Sequence, residues 1–152
     1  MAKSKLDLLL QLESDKEESL RMDYLKAEQH LQSNQQKLQG LNNFRLEYTQ
    51  QLHIKGQTGL SSAGFSQYHS FINKIEEAIR QQASTVNTAK QVVSQRKSLW
   101  LKQQVKAKAV AKLIEKQLHK HNTSIAKNEQ KMLDEFAANQ FFQRRVRLMN
   151  EN

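Results

Sequence analysis

The segment that most constrains this chain is residues 55–65, which reads Lys-Gly-Gln-Thr-Gly-Leu-Ser-Ser-Ala-Gly-Phe. Three of the four glycines in the chain lie here, at Gly56, Gly59 and Gly64. Glycine weakens a helix interior and adopts backbone angles that other residues resist. The tracts on either side contain no proline and only one further glycine, Gly40. The pattern predicts two long helices joined by a turn near Gly59.

The first tract, from about residue 4 to residue 55, has a coiled-coil periodicity. Alternate steps of three and four residues reach mostly apolar side chains, which favours one long coiled-coil helix. Ser4 is a candidate N-cap for this helix. The predicted seam positions are Leu6, Leu10, Glu13, Glu17, Leu20, Tyr24, Ala27, Leu31, Asn34, Leu38, Leu41, Arg45, Tyr48, Leu52 and Lys55.

The second tract, from about residue 66 to residue 145, carries a matching seam. Its phase shifts after Ile114, and a shift of this kind changes the local supercoil. We therefore predict a single all-α domain over residues 1–152, with helices at about 4–55 and 66–145 and a turn at about 56–65. The predicted seam positions are Tyr68, Ile72, Ile75, Ile79, Gln82, Val86, Ala89, Val93, Arg96, Trp100, Gln103, Ala107, Val110 and Ile114.

The distribution of charge favours a hairpin within one chain over a parallel dimer. The chain has a net charge of +9, but residues 1–30 hold more acids than bases, whereas residues 90–127 hold ten cations and a single carboxylate, Glu115. Folding about residue 60 pairs residue i with roughly residue 120 − i, which sets the acidic stretch against the basic one. Opposite charges beside a seam favour that orientation. We expect a monomer when the protein is free.

The two arms are unequal in length. Leu6 would meet Ile114. Residues from about Lys120 onward would therefore form a C-terminal helical overhang that has no pairing partner within the same chain. The overhang still contains many apolar residues, and an unpaired apolar helix implies a partner elsewhere. These residues are Ile125, Met132, Leu133, Phe136, Phe141, Phe142, Val146, Leu148 and Met149.

Composition argues against several classes of protein. Apolar residues make up 38% of the chain and there is no cysteine, which suits a narrow core in a cytoplasmic protein. The early apolar run Leu8-Leu9-Leu10 is far shorter than the ~20 residues that a membrane span needs, so we expect a soluble protein without membrane insertion. His119 and His121 would point to different helix faces. We predict no enzyme, no metal site and no cofactor.

The lysine-rich residues 90–127 raise the alternative of a nucleic-acid-binding coiled coil. Aromatic residues that could stack on bases are almost absent there, with Trp100 alone and in the seam. Much of the positive charge would also be balanced by the acidic first arm. We expect no nucleic-acid partner. A purely structural dimeric spacer is a third possibility.

A second apolar stripe lies near the turn. Phe44 is adjacent to the first seam, and Phe71 and Ala78 are adjacent to the second. Together with neighbouring seam residues they form a patch that is richer in aromatic rings than a two-helix seam requires. The patch either closes the end of the hairpin around the turn or serves as a docking surface, since exposed aromatic patches are typical of interfaces.

Three segments resemble the flagellar type III export proteins of the FliJ family. They are Phe44-Arg-Leu-Glu-Tyr, then Tyr68-His-Ser-Phe-Ile-Asn-Lys-Ile-Glu-Glu-Ala-Ile after the glycine-bearing loop, and Lys131-Met-Leu-Asp-Glu-Phe before an arginine-rich end. The resemblance covers nearly the whole chain in length, order and loop position. Coiled coils of virulence type III secretion systems are a close alternative that sequence alone does not separate.

The resemblance implies an antiparallel coiled coil similar to the central stalk of rotary ATPases. Such a protein inserts its terminal end into the hexameric export ATPase, promotes assembly and hydrolysis, binds the cytoplasmic domain of the membrane export gate and associates with chaperones of late export substrates. It would be cytoplasmic and peripherally associated with the inner membrane at the flagellar base.

The resemblance also implies two sets of binding residues. The set for the export gate is Lys37, Leu41, Phe44, Tyr48, Phe71, Ile75, Ala78 and Gln82, of which Lys37 and Gln82 lie at the margins. Phe44 stands where relatives carry a tyrosine, so the ring is kept and a hydroxyl is lost. The set for the ATPase ring is Glu13, Glu17, Arg21, Lys131, Asp134, Glu135, Arg144 and Arg145.

Overall fold

The protein is described by a computed structural model over residues 4–151. Its elements are two helices, α1 (Lys5–Thr58) and α2 (Ser62–Asn150), and the described residues contain no strand. The helices pack against each other, and contacts run from near the start of α1 to the middle of α2 and from the middle of α1 to the earlier part of α2. The prediction of an all-α antiparallel helical hairpin is confirmed.

The turn is shorter than the sequence predicts. Helix α1 continues to Thr58, and Gly59 follows with a φ of 94°, a left-handed conformation that glycine adopts without steric cost. The Ser61 hydroxyl then accepts a hydrogen bond of 3.1 Å from the backbone N–H of Gly64, which caps the first turn of α2. Only residues 59–61 separate the two helices, so Gly56 belongs to α1 and Gly64 belongs to α2.

Ser4 caps the start of α1, as predicted. Its hydroxyl accepts a hydrogen bond from the backbone N–H of Asp7 at 3.2 Å, and it donates to the Asp7 carboxylate at 2.9 Å. The carbonyl of Ser4 accepts the first helical hydrogen bond, from Leu8. This arrangement satisfies amide groups that have no partner within the helix.

The chain divides into two compact units. The first, which we call the turn unit, is residues 13–105, and the second, the terminal unit, has residues 4–12 and 106–151 as its described part. Among the buried residues of the turn unit are the apolar side chains Ile75, Val86 and Ala89. In the terminal unit Ala107 is buried. The single coiled-coil domain over residues 1–152 stays a prediction.

The predicted seams agree closely with the observed burial. Every seam position is buried or half-buried except Arg45, Lys55 and Arg96, which are exposed. The prediction is wrong for these three residues because a cationic head group loses its hydration in a narrow apolar seam. Their long side chains reach water from a seam-adjacent position.

The pairing of the helices in the turn unit is displaced by about one helical turn from the prediction. Asn34 faces Gln82 and Glu13 faces Gln103, whereas folding about residue 60 would have placed Val86 and Ala107 there. These contacts between helices come from glutamine amides. The ion pair between Arg80 and Glu77, at 2.5 Å, instead joins residues three apart on the same helix.

Residues 115–151 are all exposed, in agreement with the predicted C-terminal helical overhang. Ile114 is the last half-buried residue of α2. Within residues 4–151, neither helix has a stretch long and apolar enough to cross a membrane. The same residues hold no cluster of three or more side chains suited to a metal ion.

Candidate docking surfaces

Four aromatic rings meet beside the turn, within the turn unit. We call them the aromatic cluster, and they are Phe44 and Tyr48 of α1 with Tyr68 and Phe71 of α2. Their spacing explains how they meet: residues four apart on α1 and three apart on α2 each share one helix face. The antiparallel pairing next to the turn then sets these two faces against each other.

The rings pack in the offset and edge-on arrangements that aromatic side chains prefer. The centroid of Tyr48 is 4.7 Å from that of Phe71 and 5.0 Å from that of Tyr68. Phe44 packs edge-on against Phe71, with their centroids 6.2 Å apart. Phe44 and Phe71 nevertheless remain 45% and 40% exposed. The cluster therefore packs two rings against their neighbours while it leaves much of their surface in water.

Tyr68 was predicted as a seam residue and not as part of the docking patch. Its hydroxyl accepts a hydrogen bond of 2.5 Å from the ammonium group of Lys55, which ties the end of α1 to the start of α2. This hydrogen bond raises the pKa of Lys55 above its ordinary value, since it favours the charged form. The i, i+3 spacing of Tyr68 and Phe71 was the signal that could have placed Tyr68 in the cluster.

The other residues of the predicted gate-binding set lie around the aromatic cluster with different exposures. Lys37 is exposed, whereas Leu41 and Ala78 are half-buried. Ile75 is 5% exposed, so it offers little surface to a partner. Gln82 is half-buried and donates hydrogen bonds to Asn34.

The predicted ATPase-ring residues of the turn unit are partly occupied by contacts within the chain. Glu13 accepts a hydrogen bond from Gln103, and its side chain is mostly buried. Glu17 and Arg21 are half-buried. Arg21 forms a two-pronged ion pair with Glu18, with a shortest distance of 2.7 Å. Hydrogen bonding to Arg21 lowers the pKa of Glu18.

The predicted ATPase-ring residues of the terminal unit all lie on the exposed part of α2. Asp134 accepts a hydrogen bond of 3.0 Å from Gln130, one helical turn earlier. Large apolar side chains are interspersed with them, and Phe136, Phe141 and Phe142 are all exposed. Charged and aromatic side chains are thus exposed together on one helix. The exposed charged residues are Lys131, Asp134, Glu135, Arg144 and Arg145.

The ten cations of residues 90–127 are all exposed. The aromatic residue among them, Trp100, stacks on Tyr24 of α1 with the ring centroids 5.4 Å apart. Its indole nitrogen is buried and has no hydrogen-bond partner. The Trp100 ring is therefore packed against α1 within the turn unit.

Comparison with known protein families gave one match across most of the chain. Residues 2–146 match the model of a family described as the flagellar FliJ protein. The matched range contains both the aromatic cluster and the exposed charged residues of α2. Neither the comparison with curated proteins nor the comparison with solved structures gave a match.

Proposed function

Because the chain belongs to the FliJ family and is thus a protein related to flagellar export, we propose that it acts as the stalk of the export ATPase ring. In this role it promotes assembly of the hexamer and ATP hydrolysis, and it links the ring to the export gate. The chain itself supplies binding surfaces and no catalytic group. A flagellar family match also favours the flagellar system over a virulence secretion system.

The observation that carries the proposal is the aromatic cluster, which we assign to the cytoplasmic domain of the export gate. Aromatic residues dominate the binding energy of many protein interfaces, especially where neighbouring residues hold them in place. Phe44 and Phe71 meet this description, since they are exposed and are packed against Tyr48. Rings that are already ordered lose little side-chain entropy on binding.

The second part of the proposal assigns the exposed end of α2 to the ATPase ring. Arg144 and Arg145 are exposed there, as are Phe141 and Phe142. A single helix in a hexamer contacts different subunits unequally, so it binds some subunit conformations better than others and shifts their populations. The net affinity must remain modest if the helix is to move within the ring.

The proposal extends to the remaining partners and to the place of action. We assign the protein to the cytoplasm, in peripheral association with the inner membrane at the flagellar base, with chaperones of late substrates as further partners. The free protein is a monomer in this proposal. Nucleic acid is not among the partners, because Trp100 is engaged with Tyr24 and cannot serve as a stacking platform.

The proposal is tested with two sets of variants in two assays. Phe71→Ala is expected to weaken binding to the isolated gate domain by about tenfold or more, since it removes a central ring, and to leave stimulation of the ATPase unchanged. Arg144→Glu with Arg145→Glu is expected to reduce stimulation of the ATPase and to leave binding to the gate domain unchanged. Gate binding is measured by calorimetry and stimulation by phosphate release from the cognate ATPase.

Phe65→Ala provides the matched control for the gate assay. Phe65 is 38% exposed, close to the value for Phe71, but it stacks on His69 outside the aromatic cluster. Equal losses of gate binding in the Phe65 and Phe71 variants would contradict the assignment of the cluster. Unchanged stimulation by the arginine variant would contradict the assignment of the end of α2.

A further inference from the structure

Two partly buried polar contacts join the helices of the turn unit, and they involve Gln82 of the predicted gate-binding set and Glu13 of the predicted ATPase-ring set. In the first, the side-chain amide of Gln82 donates to the backbone carbonyl of Asn34 at 3.0 Å and to its side-chain oxygen at 2.9 Å. The Asn34 amide nitrogen in turn donates to the carbonyl of His30 at 2.8 Å. Asn34 is 6% exposed, so these partners stand in for water.

The second contact repeats the first with another glutamine. The side-chain amide of Gln103 donates to the backbone carbonyl of Glu13 at 3.0 Å and also to the Glu13 carboxylate. Gln103 is buried. In both cases a seam glutamine of α2 reaches the carbonyl and the side chain of one residue of α1. We call the two contacts the glutamine clamps.

The glutamine clamps have the same spacing on both helices. Glu13 and Asn34 are 21 residues apart (34 − 13), as are Gln82 and Gln103 (103 − 82). This spacing is three heptads, so both clamps close in a single register of the hairpin. We propose that Asn34, Gln82, Glu13 and Gln103 are positioning residues that fix the helix register, and that Gln82 and Glu13 are not partner-binding residues.

The apolar residues of the seam do not select one register by themselves. A heptad seam offers similar apolar contacts when one helix slides by seven residues. The turn does not prevent this sliding on its own, because Gly56 and Gly64 provide other places for the chain to reverse. A slip of one heptad would set Gln82 opposite Ala27 or Leu41, where its buried amide would find no side-chain acceptor.

The register matters for the aromatic cluster. Phe71 meets Phe44 and Tyr48 only because α2 runs past α1 at this offset. A slip of one heptad moves Phe71 about 10 Å along α1. The clamps thereby position the rings of the proposed docking surface. The cross-linking test of the clamps does not depend on whether that surface binds the export gate.

The register can be measured by disulfide cross-linking, since the chain has no cysteine of its own. Ala27 and Ala89 lie one heptad from Asn34 and Gln82, so Ala27→Cys with Ala89→Cys reports the observed register. Ala27→Cys with Arg96→Cys and Leu20→Cys with Ala89→Cys report slips in the two directions. Each pair is oxidised in the purified full chain at low protein concentration, so that disulfides form within one chain. The cross-linked fraction is measured by mass spectrometry.

With the clamps intact, we expect cross-linking of the Ala27–Ala89 pair and little of the slip pairs. Changing all four clamp residues to leucine is expected to raise cross-linking of a slip pair by at least about threefold, while helicity by circular dichroism is retained. If the leucine variant still cross-links only the Ala27–Ala89 pair, the proposal is overturned.

A second measurement covers the case in which the fourfold variant does not fold. Gln82→Leu alone removes the donor to the buried side-chain oxygen of Asn34. It is therefore expected to lower the melting temperature more than Gln82→Leu with Asn34→Leu does. Asn34→Leu is measured alone as well, and if the effects of the two single variants add up to that of the double variant, the residues do not act as a pair and the Gln82 clamp is overturned.

Gate binding separates positioning from docking. In the positioning role, a loss of gate binding in Gln82→Ala is restored when the Ala27–Ala89 disulfide holds the register. A loss that persists in the disulfide-linked protein would show that Gln82 touches the partner. If even the unmodified chain does not bind the gate domain, the proposed function fails, whereas the cross-linking result still decides the clamps.

Discussion

Ile75 and Ile125 are the same amino acid at seam-like positions of one helix, but their surroundings differ. Ile75, in the turn unit, is 5% exposed, whereas Ile125, in the terminal unit, is 43% exposed. Around Ile75 the residues of α1 complete the seam, while every residue from 115 to 151 is exposed. The difference shows that a heptad pattern specifies an apolar face and does not by itself specify what covers that face.

The polar residues of the two regions differ in the same way. Gln82 and Gln103 of the turn unit direct their amides at acceptors on α1. In the terminal unit the Gln130 amide donates to Asp134, one turn along its own helix. The glutamines of the turn unit therefore join two helices, whereas the hydrogen bond of Gln130 stays within one helix.

The largest effect is expected from the two isoleucines themselves. Ile75→Ala is expected to lower the free energy of unfolding by ~2–5 kcal/mol, because it removes buried methyl groups and leaves a cavity. Ile125→Ala is expected to change it by less than ~0.5 kcal/mol, since the side chain is already in water. Urea unfolding followed by circular dichroism measures both. Equal losses would mean that Ile125 is covered in the free protein and that the contrast is false.

Smaller changes in stability are expected at two glycines of the turn unit, and the two changes have opposite signs. Gly59→Ala is expected to destabilise the protein by ~1–2 kcal/mol, because an L-residue is strained at a φ of 94°. Gly40→Ala is expected to stabilise it by ~0.5–1 kcal/mol, since Gly40 is within α1 and has open space around it. Thermal melting measures both, and a stabilising Gly59→Ala would show that the turn does not need this conformation.

The smallest effect is expected from the ion pair between Glu18 and Arg21 on the surface of the turn unit. Hydrogen bonding to Arg21 lowers the pKa of the Glu18 carboxyl in the folded protein. Its stabilising contribution is therefore present above pH ~4.5 and is lost as the pH falls through the lowered pKa. Arg21→Gln should reduce the melting temperature slightly at pH 7 and not at pH 2. A difference that persists at pH 2 would contradict this origin.

Much of the fold could be predicted from periodicity. The two helices, the N-cap at Ser4 and most of the seam follow from local propensity and from the spacing of apolar residues, both of which are visible in one sequence. Arg45, Lys55 and Arg96 were placed in the seam because they fit the period. The period does not record the cost of dehydrating a charge, so these three side chains face the solvent instead.

The candidate docking surface was partly predictable. Phe44, Tyr48 and Phe71 stand out as aromatic residues beside the seams, and the structure brings their rings together. The part played by Tyr68 was missed, because a seam position and a position in an aromatic cluster look the same in a heptad pattern. The pairing of Gln82 with Asn34 was also missed, since it depends on which turn of α1 lies opposite.

The sequence alone determined that this chain forms two long helices with apolar stripes and reverses near Gly59, because helix propensity, glycine placement and heptad spacing act over short distances along the chain. The tertiary structure decided the register, the short turn and the contacts between aromatic rings. These features depend on residues far apart in sequence, and sliding one helix by a heptad leaves the local pattern unchanged. Only the packed arrangement, with its buried amides, distinguishes one register from the next.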